Sequence, residues 1–425
     1  MNQSLTVPPE LLHDALPTTA KRVSWFVPGR IEVLGKHTDY AGGRSLLAAA
    51  NVGITFVAEA NDEGVVRISS DAVEGTVELP LAENIEGYDN GHWAGYARAV
   101  VTRLVLNFGD QVVGANIHMT TTLPLASGMS SSSAMVVGLA RCLMDLSGIE
   151  STDLFRRNIS SAEEFAAYLA CIENGMSFGE LVGHRGVGTF GGSEDHTAML
   201  CGVEDSLVQY AFCPVRREAV VPFALDHSFV VAVSGVLAEK SGAARDAYNR
   251  ASQSTRDILA QWNEHTGRED SFLADAIAAT PEAAEQIRGL LGEGNYLRKR
   301  FEQFLIESDQ LVVQAADALL AGDLEDFGRV VDLSQHWTDV GLQNQVDETR
   351  ALAALAREEG AVAASAFGAG FGGSVWALVP TTEAEEFAGR WLEKYIAQFP
   401  EVAGRAHTVI TRPGSRATRL ELELA

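Results

Sequence analysis

The stretch LPLASGMSSSSA, residues 123–134, decides how this chain is read. A proline-led turn runs into Gly128 and four consecutive serines, Ser130, Ser131, Ser132 and Ser133. A run of small and apolar residues follows over 135–146. The pattern predicts a loop feeding the N-terminus of a buried helix. Such an end presents unpaired backbone N–H groups and the positive end of the helix dipole. Small residues let a phosphate approach that backbone, and serine hydroxyls can add hydrogen bonds or ligate magnesium. A serine-rich N-cap on a core helix is the plainer alternative. No GK[ST] follows, so the spacing does not fit a Walker loop.

Outward from the loop, Val113, Ala115, Ile117 and Met119 alternate with smaller or polar residues, which predicts a half-buried strand leading into it. Residues 93–108 read as a helix. Val23, Trp25 and Val27 alternate as a strand that Pro28-Gly29 is expected to break. Residues 51–60 and 65–70 read as further strands, and residues 9–15 as a short leader helix. Phe165, Leu169 and Ile172 share one face of a helix over 162–174. Residues 175–192 are glycine-rich and aperiodic. A composition shift over 203–222 suggests a domain change. Beyond it, 296–320 reads as one long amphipathic helix, with further helices over 323–337, 346–359 and 383–396. Strands are expected over 227–236, 361–366, 374–379 and 406–411, giving an α+β C-terminal half.

The chain has 425 residues, which favours two domains, expected at 1–204 and 205–425. A hydrophobic content of 46% supplies large cores. A net charge of −25 argues against nucleic acid and anionic membrane as partners, so an anionic ligand needs a local pocket. No protein partner is evident. Cys142, Cys171, Cys201 and Cys213 form no CxxC pair or zinc spacing and read as free thiols, which fits a reducing cytoplasm. No signal peptide or membrane-spanning run is evident.

Three stretches belong together: VPGRIEVLGKHTDYAGG (27–43), the serine loop, and SAFGAGFGGSVWALV (365–379). In order and spacing they resemble the three motifs of the GHMP small-molecule kinase superfamily. The first resembles the galactokinase family pattern, close to PGRVNLIGEHTDYNGG. The resemblance implies a two-domain α+β fold with the active site in the interdomain cleft. It also implies ATP- and magnesium-dependent phosphorylation of the anomeric hydroxyl of galactose or a close relative.

By that resemblance Gly128 to Ser133 cradle the ATP phosphates, Ser132 ligates magnesium and Glu173 supplies a second ligand. Asp195, in GGSEDHTAML, resembles the aspartate of the family's GIMDQF segment and is the expected base, with Glu194 as fallback. Arg30 matches the arginine that pairs with that aspartate. His37, Asp39 and Tyr40 keep the family's HTDY, with Asp39 the strongest sugar contact. Tyr248 resembles a sugar contact from the C-terminal half, and residues 93–96 the border of the adenine pocket. Lys36 stands where the family has glutamate, and Ala41 where it has asparagine. A cation at 36 either reads a carboxylated sugar or points to solvent. Two alternatives stay open: a kinase for a uronic acid, pentose or amino sugar, and a sugar- and ATP-binding sensor without turnover.

Overall fold

The structure, a computed structural model, describes residues 21–88, 93–123, 128–224, 226–236 and 242–421. The leader helix expected at 9–15 and positions 124–127 of the serine loop lie outside the described residues.

The chain opens with strands β1 (Arg22–Leu34), β2 (Arg44–Asn61), β3 (Val65–Ser70) and β4 (Val73–Pro80). Helix α1 (Ala94–Phe108) and strand β5 (Gly114–Thr121) lead to α2 (Ser131–Ser147). Helices α3 (Asp153–Asn158), α4 (Ala162–Asn174) and α5 (Glu194–Cys201) precede strands β6 (Ser206–Ala211) and β7 (Arg216–Pro222). With β12 (Thr418–Leu420), these strands form one sheet in the order β12-β1-β2-β5-β3-β4, with β6 joined to β2 and β7 to β6. Among the described residues, only β3 and β5 pair in parallel.

Beyond β8 (His227–Val233) lie helices α6 (Gly242–Thr266), α7 (Leu273–Ala278), α8 (Ala283–Leu291), α9 (Tyr296–Ile306), α10 (Val312–Leu320), α11 (Leu324–Trp337) and α12 (Asp347–Glu358). Strands β9 (Ala363–Phe367) and β10 (Ser374–Pro380), helix α13 (Ala384–Gln398), and strands β11 (His407–Thr411) and β12 (Thr418–Leu420) follow. The second sheet is antiparallel, in the order β11-β8-β10-β9.

The period of two along β8 sorts its side chains between two cores. Phe229 and Val231 join Trp376 and Phe327 in the core that includes β1, β2 and α2. Val230 and Ala232 pack with Trp391, Phe387 and Leu352 on the other face. A third cluster, built on Trp262, Phe301 and Phe304, unites α6 to α9.

Three expectations are corrected. Strand β1 runs through Pro28-Gly29, because a register shift between Pro28 and Arg30 absorbs the proline and β12 covers only Ser24 to Phe26. A boundary at 204 is not respected, because the first sheet takes β6, β7 and β12 from beyond it. The long helix over 296–320 is interrupted by a π-helical turn, Glu307–Leu311.

That turn positions the first motif. Glu307 is fully buried, and its Oε1 accepts from the Gly35 N–H at 2.8 Å, the Lys36 N–H at 3.3 Å and the Ser334 hydroxyl at 2.9 Å. Ser334 accepts from the Lys36 ammonium at 2.7 Å. One carboxylate thus ties the loop after β1 to α9 and α11. Glu307→Ala strands these buried donors and is expected to cost about 3 kcal/mol or more. Urea unfolding would measure it, with Glu307→Gln losing clearly less because it keeps a carbonyl acceptor.

Candidate active site

A cavity of about 820 Å³ opens where β1, α2, the 186–193 loop, the start of α5, α6 and the glycine turn between β9 and β10 converge. Arg30, His37, Asp39, Gly128, Ser130, Ser131, Ser132, Ser133, Glu173, Asp195 and Tyr248 all line it. The same cavity reaches Trp93 and Tyr96 at its apolar end.

Arg30 leaves β1 just after the register shift, where its N–H donates to the Met129 carbonyl at 3.1 Å. The serine loop is thereby hydrogen-bonded to the strand that carries the arginine. Arg30 Nε donates to Asp195 Oδ1 at 2.6 Å, and Nη1 to the Gly128 carbonyl at 2.6 Å. The Phe367 ring lies 5.7 Å from the guanidinium carbon. Burial alone would lower the Arg30 pKa, but Asp195, Glu32 and Glu194 reverse that and hold it above its ordinary value. Arg30 is therefore a permanent cation in the cavity wall.

The serine run does not act as a conventional cap. Ser130 sits at the N-cap of α2 in a left-handed conformation, φ +61°, with no side-chain bond to the helix. Its hydroxyl donates to Asp195 Oδ2 instead, and Ser133 donates to Glu173 Oε1 at 2.7 Å. Ser130 thus leaves the first-turn N–H groups of α2 without a side-chain cap at the cavity. Glu173, buried at the end of α4, also lies 3.1 Å from His196 Nε2, at an angle that makes no hydrogen bond.

Asp39 lines the same cavity. Its Oδ2 accepts from the Glu194 N–H at 3.0 Å. Gly192 is required here, since a Cβ would fall 2.4 Å from Asp39 Oδ2. Burial pushes the Asp39 carboxyl up to about 6. His37 places Nδ1 at 3.0 Å from the Tyr40 hydroxyl and Nε2 at 3.2 Å from the Ala369 carbonyl. The carbonyl can only accept, so the proton belongs on Nε2, and His37 tethers the glycine turn. The Tyr248 ring packs 5.2 Å from the His37 ring.

Two expectations change. Lys36 is neither a pocket contact nor a solvent-facing cation: it is 1% exposed and its ammonium is turned under α11 to Ser334. Glu194 is turned away from the serines; its Oε2 accepts from Ser45 at 2.7 Å and its Oε1 stands 3.9 Å from Arg30. Burial, with Glu32 and Asp39 nearby, holds the Glu194 carboxyl well above the usual range. Glu32 was missed: it lines the cavity, and its Oε2 accepts from the Gly368 N–H at 2.5 Å. The available signal was the family pattern itself, which has asparagine at this place.

The chain matches a galactokinase galactose-binding signature over residues 17–60. It also matches the GHMP kinase N-terminal domain over 95–177 and the GHMP kinase C-terminal domain over 315–397. The chain belongs to the galactokinase family of the GHMP kinases. It is 28% identical to a galactokinase of Streptococcus thermophilus over 90% of this chain and 91% of that one. A Lactobacillus helveticus galactokinase is 26% identical over 85% and 87% of the two chains. The solved Lactococcus lactis galactokinase, complexed with galactose, superposes with a TM-score of 0.75 at 25% identity, covering 94% of this chain and 95% of that one. This family member is a galactokinase-like sugar kinase that uses ATP. No helix among the described residues is long and apolar enough to cross a membrane.

The buried carboxylates have a stability consequence. Asp39 rises from 3.8 to about 6 on folding, so its protonated form favours the folded state. That contribution is complete below pH 3.8 and lost as pH rises through about 6. Above pH 6.5, Asp39→Asn is expected to stabilise the ligand-free protein by up to roughly 3 kcal/mol while weakening sugar binding. Denaturant unfolding at pH 4 and pH 8, with calorimetric titration of the sugar, would check both parts.

Proposed function

We propose that this kinase transfers the γ-phosphoryl group of ATP to the anomeric hydroxyl of galactose or a close, uncharged relative. The observation that carries the reading is the Arg30–Asp195 pair, in one cavity with the serine run and Asp39. Asp195 accepts the proton of the anomeric hydroxyl. Arg30 keeps that carboxylate ionised and balances charge on the transferring group. Gly128, the serine run and the N-terminus of α2 hold the phosphates. Asp39 accepts from vicinal ring hydroxyls, with His37 and Tyr248 closing the sugar site. The apolar end near Trp93 and Tyr96 takes the adenine.

Magnesium fits the donors present. Ser132 and the buried Glu173 carboxylate bring oxygen ligands to the phosphate end of the cavity. Such a pair suits a hard cation that keeps several waters. When bound, the ion would supply charge neutralisation at the β- and γ-phosphates.

The electrostatics favour an uncharged sugar. Glu32, Asp39, Glu194 and Asp195 all line the cavity around Arg30, while Lys36 is spent on Ser334. A uronate would meet the Asp195 carboxylate, and Arg30 is already paired with that group.

Asp195→Asn is expected to lower turnover on the order of a hundredfold or more. Sugar and nucleotide binding should stay measurable by calorimetry. Near-normal turnover would remove Asp195 as the base. Lys36→Met is expected to leave the preference for galactose over galacturonate unchanged while lowering thermal stability. Specificity constants for the two sugars, set beside a melting curve, would check this; a gain or loss of galacturonate turnover would return Lys36 to the sugar site.

A further inference from the structure

Glu32 has no part in the mechanism just derived, yet it is a carboxylate in the cavity wall. It follows Arg30 by two positions on β1, so the two side chains project to the same face of the strand. Gly368 touches both: its N–H donates to Glu32 Oε2, and a Cβ at Gly368 would lie 3.4 Å from Arg30 Nη2. The Glu32 main chain is fixed as well, its carbonyl accepting from the Trp376 indole at 3.2 Å. One carboxylate oxygen is thus committed to the glycine turn. Among the described residues, Oε1 makes no hydrogen bond, and it is the oxygen left to the cavity. Burial raises the Glu32 pKa, while Arg30 and Lys36 pull it back down. Oε1 is not fully enclosed, so a donor on a ligand in the cavity can reach it.

We infer that Glu32 is a specificity-determining residue whose Oε1 accepts a hydrogen bond from the substituent on the sugar carbon next to the reacting one. The placement follows from its neighbours. Arg30 and Asp195 hold the anomeric end, Glu32 adjoins Arg30, and Asp39 is occupied with hydroxyls farther round the ring. For galactose the group is the 2-hydroxyl. A 2-ammonium group would donate to the same oxygen with charge assistance. The family pattern has a neutral amide here, so this chain should be more demanding of a donor at that carbon. The inference rests on the sugar-kinase reading.

The test is calorimetric titration of galactose, 2-deoxygalactose and galactosamine into the native protein and Glu32→Gln, without nucleotide. Glutamine keeps a carbonyl acceptor for Gly368 but loses the charge. The native protein is expected to bind galactose about tenfold more tightly than 2-deoxygalactose. In the variant that gap should shrink to about threefold or less, and galactosamine should lose about tenfold relative to galactose. The KM for ATP should stay unchanged. An equal 2-deoxy penalty in both proteins overturns the inference, as does a rise in the KM for ATP with sugar binding intact, which would make Glu32 a tether of the glycine turn alone. If the variant does not fold, the native protein still decides: equal affinity for galactose and 2-deoxygalactose sinks Glu32 and leaves the kinase reading standing. A native protein that binds neither sugar nor phosphorylates galactose overturns both.

Discussion

The site depends on the buried guanidinium of Arg30. Its contacts come from sequence-distant parts of the chain: Asp195 on α5, Gly128 in the serine loop, and Phe367 beside the glycine turn. A cation this deeply buried is tolerable only when carboxylates and carbonyls surround it. Asp195 and Gly128 satisfy it with two short, charge-assisted bonds. The same bonds fix the Asp195 carboxylate and the serine loop relative to each other. The geometry of the cavity wall and the solvation of one charge are therefore the same arrangement.

That arrangement is costly to the rest of the site. Glu32, Asp39 and Glu194 are each held above the ordinary carboxylate range because burial strips their water. They persist because backbone N–H groups and hydroxyls meet them: Gly368 at Glu32, the Glu194 amide at Asp39, Ser45 at Glu194. The serines follow a similar logic. A serine that capped α2 would be worth about 1 kcal/mol to the helix. Ser130 instead spends its hydroxyl on Asp195, leaving the helix end open to the cavity. Stability is forgone in both places, in a cavity that gathers these groups together.

The C-terminal half does more than close the cavity. Glu307 and Ser334 hold the loop carrying Lys36, while Arg300 donates to the His37 carbonyl at 2.5 Å and to the Tyr40 hydroxyl at 3.1 Å. The loop after β1 is N-terminal in sequence, but helices α9 and α11 from beyond residue 290 set its shape. Strand β12 returns to pair with β1 near the start of the described chain. The two halves are knitted through β1, and the cavity lies along that seam.

Sequence alone carried the local features. The serine run before an apolar stretch marked a helix end, the alternation of 113–119 marked β5, and Gly368 to Gly373 marked a tight turn, because each depends on a few neighbouring residues. The motif resemblance brought Arg30, Asp39, Asp195 and Tyr248 to one site, and they share one cavity. Tertiary structure decided where the charges point. Lys36 and Glu32 lie four residues apart on one motif, yet only Glu32 faces the cavity. The register shifts in β1 and the distant carboxylate of Glu307 direct the two side chains differently, and neither is visible in a local pattern. The boundary at 204 failed for the same reason: composition reports what a segment is made of, whereas strand pairing across hundreds of residues decides which sheet it joins.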